Sequence, residues 1–297
     1  MRFVKKLVVT LNGVGKHPLN RHAKWKAMWN FCVAQVAVRL VPGEVCVPFP
    51  NQTKLLVPPR MKGAAHFISP GLCEFEDMCF VLHFLTPEDL FVDVGANIGA
   101  YTVLASGGAG AKTMAFEPSP FNYQYLVQNV RLNGLTAQAT PLNLAVGSEE
   151  GVLRLTEGLG TENYIAQDNG AGQTVETKVT TLDQALADLR PALMKMDVEG
   201  FETKAVEGAR HTLDHPSLEA FIIERAGNAQ RYGFDEAALH RRLQEMAFIP
   251  CAYSPSERAL RKISADVVGN IIYVKNVAAV QARLKRSPGY HYANGTI

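Results

Sequence analysis

Phe91-Val92-Asp93-Val94-Gly95-Ala96-Asn97-Ile98-Gly99-Ala100-Tyr101-Thr102 is an apolar run that passes through two glycines into a helix-forming stretch. Such a segment reads as a buried strand turning directly into a helix. Glycines at that turn let backbone approach a ligand at the carboxyl edge of the sheet, where open α/β folds bind. Phe116-Glu117 closes the next apolar run 22 residues after Gly95. A carboxylate there is placed to accept both hydroxyls of a ribose. The bland alternative is a structural turn and an acid that caps a helix.

Two nucleoside cofactors would use this arrangement. A dinucleotide site requires G-x-G-x-x-G so that helix amides can face a pyrophosphate. Here Asn97 replaces the middle glycine and Asp93 adds a carboxylate. That acid is poorly placed against a pyrophosphate but suits a ligand carrying an ammonium and a sulfonium. The pattern therefore favours S-adenosylmethionine, and an NAD-dependent oxidoreductase stands as the second enzyme class.

Outward from this motif, β-rich apolar runs alternate with helical segments, the signature of a parallel sheet with crossover helices. Leu90–Val94, Thr113–Phe116, Thr140–Ala145, Leu193–Met196 and Leu218–Ile223 read as five strands, and Ile249–Tyr253 and Asn270–Val274 as two closing ones. Gly151–Leu155 and Val175–Val179 read as a hairpin around the long loop Glu157–Gln173, a length that is commonly functional. Upstream, Trp25–Leu40 and Glu74–Leu85 have helical spacing, and Val45–Phe49 and Lys54–Val57 read as short strands. The expected organisation is an N-terminal appendage over residues 1–85, a catalytic domain over 86–278 and a loosely held tail over 279–297.

Three ordered motifs carry a resemblance: Val92-Asp93-Val94-Gly95-Ala96-Asn97-Ile98-Gly99, then Phe116-Glu117-Pro118, then Lys195-Met196-Asp197-Val198-Glu199-Gly200-Phe201-Glu202. Together they resemble the FkbM-type family of S-adenosylmethionine-dependent methyltransferases over about residues 70–275. The resemblance implies an α/β fold of the class I methyltransferase (Rossmann-like) type, a seven-stranded sheet with its last strand antiparallel. It also implies O-methylation of a sugar or natural-product hydroxyl. Residue by residue, Gly95, Ala96, Asn97 and Gly99 should line the methionine side of the cofactor, and Glu117 with Pro118 the ribose. Asn143, Ala145 and Val146 should lie near the adenine, and Asp93 should act indirectly on the amino group or order the loop.

Methyl transfer is an in-line displacement, so acceptor oxygen, carbon and sulfur must be aligned and water excluded. A neutral hydroxyl is a poor nucleophile and needs a base or an acidifying metal. Asp197 ends the fourth strand, Glu224 the fifth, and Glu199 and Glu202 follow Asp197, giving an oxygen-rich cluster. Three readings stand: Glu199 and Glu202 cap the following helix; Asp197 or Glu199 acts as base or positions the acceptor or the cofactor ammonium; or Asp197 and Glu224 hold a divalent metal such as magnesium. Glu76 is a further candidate to close over the cofactor, and Asn163 and Tyr164 of the long loop to meet the acceptor.

Composition places the chain, 297 residues and 47% hydrophobic, among ordinary globular proteins and excludes disordered or disulfide-knotted classes. Its charge of +2 conceals an asymmetry: residues 1–43 hold eight Lys or Arg and no acid, leaving 22 basic against 28 acidic residues beyond. A third reading makes the chain a polyanion-binding module whose basic N-terminus grips nucleic acid or a peripheral anionic membrane surface. The segment lacks a recognised nucleic-acid motif, which disfavours nucleic acid, and the bland alternative is a solvated helix face. Five cysteines without zinc spacing, no secretory leader and no long apolar run point to a cytoplasmic protein with a small-molecule or glycan acceptor.

Overall fold

A computed structural model describes residues 14–15, 17, 24–40, 43–58, 61, 72–157, 163–166, 173–292 and 295–297. After helix Lys24–Leu40, strands β1 (Val45–Pro48) and β2 (Lys54–Val57) pair as a hairpin, followed by helix Phe75–Phe84. Then come β3 (Leu90–Val94), β4 (Lys112–Phe116), β5 (Ala139–Leu142), β6 (Ala145–Val146), β7 (Gly151–Thr156) and β8 (Thr174–Thr180). The last elements of the sheet are β9 (Leu193–Met196), β10 (Ala220–Arg225), β11 (Ile249–Ser254), β12 (Ala259–Lys262) and β13 (Gly269–Val274).

The main sheet has the order β12-β11-β13-β10-β9-β3-β4-β5. Strands β5, β4, β3, β9 and β10 run parallel, whereas β13 inserts antiparallel between β10 and β11. Apart from β12, this is the expected class I methyltransferase topology with an antiparallel final strand. The sheet has eight strands where seven were expected, because β12 returns antiparallel along β11. Its mixed sequence Ala-Leu-Arg-Lys, half-exposed to exposed, carries no apolar alternation that would have revealed an edge strand.

Period-2 alternation divides the side chains between two apolar layers. Phe91, Leu193, Ile222 and Ile272 pack on the side of helix Phe75–Phe84, while Val92, Met194, Phe221 and Ile271 pack on the side of helix Glu236–Glu245. Both faces are covered, which is why these strands read as continuous apolar runs.

The expected third strand ends early. Main-sheet pairing stops at Leu142, and Ala145–Val146 joins β8 in a separate three-stranded sheet with order β6-β8-β7. The hairpin read at 151–179 is the β7–β8 pair of that sheet.

The N-terminal hairpin shares the core of the sheet through Val47, Phe49, Leu55 and Val57. Fully buried Asn129 fixes it: its Oδ1 accepts from Leu56 N at 2.6 Å, and its Nδ2 donates to Leu56 O and to Ile98 O. Across the expected start of the tail, helix Val277–Arg286 buries Val280 and Leu284 against helix Phe75–Phe84. Its Arg283 binds Phe84 O, Glu219 and Asp89.

Candidate functional site

The carboxyl edge of β3, β4 and β9 opens into one cavity. Asp93, Gly95, Ala96, Asn97, Glu117, Pro118, Ala145, Val146, Asp197 and Glu199 all line it, so these sequence-expected residues converge there. Gly95 takes φ +81°, and a Cβ on it would sit 1.8 Å from the carbonyl oxygen of Asp197. Only glycine lets the β3 turn pass so close to the end of β9.

The amides of Gly95 and Ala96 both donate to Phe116 O at 2.9 Å, closing the turn onto β4. Asn97 adopts φ +53°, a left-handed conformation that asparagine tolerates, and its Oδ1 accepts from Ile98 N. Its own amide donates to Glu117 Oε2 at 2.8 Å, while Glu117 Oε1 accepts from Ser119 N at 2.9 Å. Two backbone amides thus hold the Glu117 carboxylate at the cavity wall. Burial raises its pKa to about 7, against these hydrogen bonds, which favour the anion.

Asp93 is 1% exposed and accepts from Thr102 Oγ1 at 2.7 Å. Burial lifts its pKa to about 6 despite the opposing charge of Lys195. Lys195 is the centre of charge in the cavity. Its Nζ lies 2.9 Å from Asp197 Oδ2 and 4.7 Å from the Tyr101 ring centroid, with a side chain 4% exposed against 26% for Asp197. Burial alone would lower the lysine pKa, but Asp197, Glu74 and Asp93 together hold it above its ordinary value. The Tyr101 hydroxyl donates to Glu74, which also lines the cavity.

The acidic cluster separates into different roles. Glu202 is 4% exposed and accepts from Val198 N at 3.0 Å and Gly200 N at 3.3 Å. It ties together the loop before its helix, and burial raises its pKa to about 7. Glu199 does not cap that helix through its side chain: at φ +55° it lines the cavity, and its Oε2 accepts from Asn228 Nδ2 at 3.1 Å.

Gly99, Asn143 and Glu224 stand outside the lining. Gly99 begins helix Ala100–Val103 at φ +89°, where a Cβ would meet Leu126 Cδ1 at 2.6 Å; its place is a packing contact. Asn143 is exposed and donates to the carbonyls of Glu117 and Pro118, steadying the wall from outside. Glu224 is half-buried beside the cluster, where burial, then Asp197, Glu199 and Glu202, raises its pKa to about 8. Among the described residues, no group of three or more His, Cys, Asp or Glu is arranged to hold a metal ion. The metal expected on Asp197 and Glu224 is therefore not supported, and the Lys195 ammonium already neutralises Asp197.

Glu76 is exposed, and Glu74 takes the cavity position instead. Glu74, Tyr101 and Lys195 were missed as site residues. Lys195 carried a usable signal, since a lysine inside an apolar strand needs a partner. Helical spacing alone could not choose between Glu74 and Glu76. Asn163, Tyr164 and Ile165 line the cavity from the long insertion, where the Arg231 guanidinium lies 3.7 Å from the Tyr164 ring centroid and Tyr232 Oη donates to Ile165 O.

Residues 93–250 match the Methyltransferase FkbM domain family, half of the chain. The chain is 29% identical to 31-O-demethyl-FK506 methyltransferase FkbM of Streptomyces tacrolimicus, the alignment covering 54% of this chain and 75% of that one. It is 26% identical to hexuronic acid methyltransferase AglP of Haloferax volcanii over 46% of this chain, and spans little more than half of that enzyme, 56%. Among solved structures, methyltransferase FkbM from Methylobacillus flagellatus KT superposes with a TM-score of 0.45 at 18% identity, covering 71% of this chain and 52% of that one. Among the described residues, no helix is long and apolar enough to cross a membrane. The family match spans the glycine turn, Glu117 and the Lys195–Asp197 pair alike, and the chain belongs to the FkbM family of methyltransferases.

Proposed function

We propose that the chain is an S-adenosylmethionine-dependent O-methyltransferase acting on a hydroxyl of a sugar or of a natural product. The observation that carries this reading is the charge of the cavity: Glu74, Asp93, Glu117, Asp197 and Glu199 line it with Lys195 as the one cation among its lining residues. Such a wall suits a ligand that carries an ammonium and a sulfonium and repels a pyrophosphate. It favours S-adenosylmethionine over NAD.

The donor set fits the cofactor in kind. Glu117, fixed by two backbone amides, has the remaining lone pairs to accept ribose hydroxyls, and the acids around Lys195 favour an amino group. Bound there, the cofactor supplies an electrophilic methyl group. Lys195 holds one oxygen of Asp197, which keeps the carboxylate in a single orientation and leaves its other oxygen to accept the acceptor hydroxyl. The hydroxyl proton becomes strongly acidic as the C–O bond forms and the methyl–sulfur bond breaks, and the Asp197 carboxylate takes it up. Glu199, on the same wall, orients the acceptor. Asn163, Tyr164 and Ile165 cover the cavity and limit water.

The relatives favour this class of acceptor. One is named for a demethylated FK506 and another for a hexuronic acid. Calorimetry with S-adenosylmethionine, S-adenosylhomocysteine and NAD tests the cofactor; binding of NAD alone would overturn the proposal. Mass spectrometry of glycan and natural-product hydroxyl acceptors, seeking cofactor-dependent addition of one methyl group, tests the reaction.

A further inference from the structure

Helix Lys24–Leu40 has two apolar faces. One is packed: Ala27 is 6% and Phe31 2% exposed, in a small cluster with Val14 and Met28. The other faces solvent, with Trp25 82%, Trp29 70%, Val33 49% and Val36 55% exposed. These four residues are spaced four, four and three apart, so they form one continuous stripe along the helix. A stripe of this kind, with two tryptophans at its amino end, is unusual on a surface that meets only water.

The charge of the sequence segment that carries the stripe selects its partner. The helix has no acid in its first turn, and residues 1–43 contain eight Lys or Arg and no Asp or Glu. The rest of the chain has an excess of acid, so an anionic surface attracts this segment and repels the body. A second copy of the chain would bring like charges together at the same face. Tryptophan is enriched where hydrocarbon meets headgroup, and a basic helix with an apolar stripe lies in that plane. With 17 residues, too few and too mixed to span, the helix can only lie along the surface.

We propose that helix Lys24–Leu40 docks the protein on an anionic lipid bilayer, with Trp25, Trp29, Val33 and Val36 entering the boundary between headgroups and acyl chains. The inference is independent of the methyl-transfer reading, and neither fails with the other. It does place the catalytic domain beside a lipid surface, where a membrane-borne acceptor would be presented.

The chain contains two tryptophans, both on this stripe, so its intrinsic tryptophan fluorescence reports on the helix alone. The full chain is titrated with vesicles of phosphatidylglycerol mixed with phosphatidylcholine, and with phosphatidylcholine vesicles as control. The expected result is a blue-shifted emission and co-sedimentation with the anionic vesicles, weakening as salt is raised. The double variant Trp25→Ser/Trp29→Ser should lose about tenfold or more in vesicle affinity by sedimentation while keeping its circular dichroism and melting temperature. Lys24→Glu/Lys26→Glu, which retains both tryptophans, should abolish the preference for anionic vesicles. No emission shift with anionic vesicles would overturn the proposal, as would equal sedimentation of the double serine variant. A blue shift that grows with protein concentration in the absence of lipid would instead assign the stripe to a second copy.

Discussion

Lys195 and Asp197 sit two residues apart at the end of β9 and form an ion pair of 2.9 Å, with the lysine almost wholly buried and the aspartate partly open to the cavity. The pair joins the floor of the sheet to the wall of the cavity. Around it lie Asp93 and Glu74, and the balance of one ammonium against three carboxylates sets both stability and chemistry at this point.

Asp197→Asn preserves the shape of the site and removes the charge proposed to receive the proton. Turnover should fall by about a hundredfold or more, the usual contribution of a positioned base, with cofactor affinity changed only a few-fold. Single-turnover rates and calorimetry on the same preparation separate the two. Equal loss of both would move Asp197 into the cofactor site.

Lys195→Met leaves three carboxylates without their shared cation. Removing one partner of a buried pair costs about 3–5 kcal/mol, so the variant should unfold at markedly lower denaturant concentration. The double variant Lys195→Met/Asp197→Asn should recover part of that loss. Additive effects in the double-mutant cycle would mean that the two side chains are not coupled.

Glu117 gives a pH signature. Its folded pKa is raised from 4.5 to about 7, so its favourable contribution is complete below pH 4.5 and is lost as pH rises through about 7. At about 1.4 kcal/mol per pKa unit the swing is on the order of 3 kcal/mol. Glu117→Gln has no such titration, so the stability of the ligand-free wild type relative to the variant should decline between pH 5 and about pH 8. Melting curves across that range measure it; a constant difference would refute the assignment. The same variant should bind S-adenosylmethionine at least about tenfold more weakly, from loss of a charge-assisted bond to the ribose.

Gly95→Ala forces a methyl group against Asp197 O at a backbone angle that alanine resists. The β3 turn must move away from β9. Cofactor binding should be lost along with part of the stability, whereas Gly134→Ala, also at positive φ but with open space around it, should cost stability alone. Calorimetry and thermal melts of the two variants make the comparison.

Much of the fold was legible because its strands are buried on both faces and read as uninterrupted apolar runs. Strands β3 and β9 fall on the residues that the sequence indicated, and β10, β11 and β13 differ from it by a residue or two at their ends. Strand β12 was not legible, because an edge strand needs no apolar period. The departure of Ala145–Val146 from the main sheet was hidden for a different reason: the pair is apolar and buried in the small sheet, and an apolar pair does not say which partner strand it takes.

The site divides in the same way. The place of Gly95, Asn97 and Glu117 on the cavity wall was legible in sequence because local backbone geometry favours their types: a close approach, a left-handed turn and a strand-end acid. Glu74 and Tyr101, 27 residues apart in sequence, meet only because helix Phe75–Phe84 packs across the sheet. The four acids at the ends of β9 and β10 are alike in sequence, yet burial and partners set them apart: Asp197 faces the cavity with Lys195, Glu199 bonds Asn228, Glu202 ties its own loop and Glu224 stands outside the lining. What the sequence alone determined was the α/β fold, the place of the cavity and several of the residues on its wall, because these follow from local turns and periodicity. Only the tertiary structure decided which carboxylate meets solvent and which meets a lysine or an amide, because desolvation and pairing depend on neighbours that are distant along the chain.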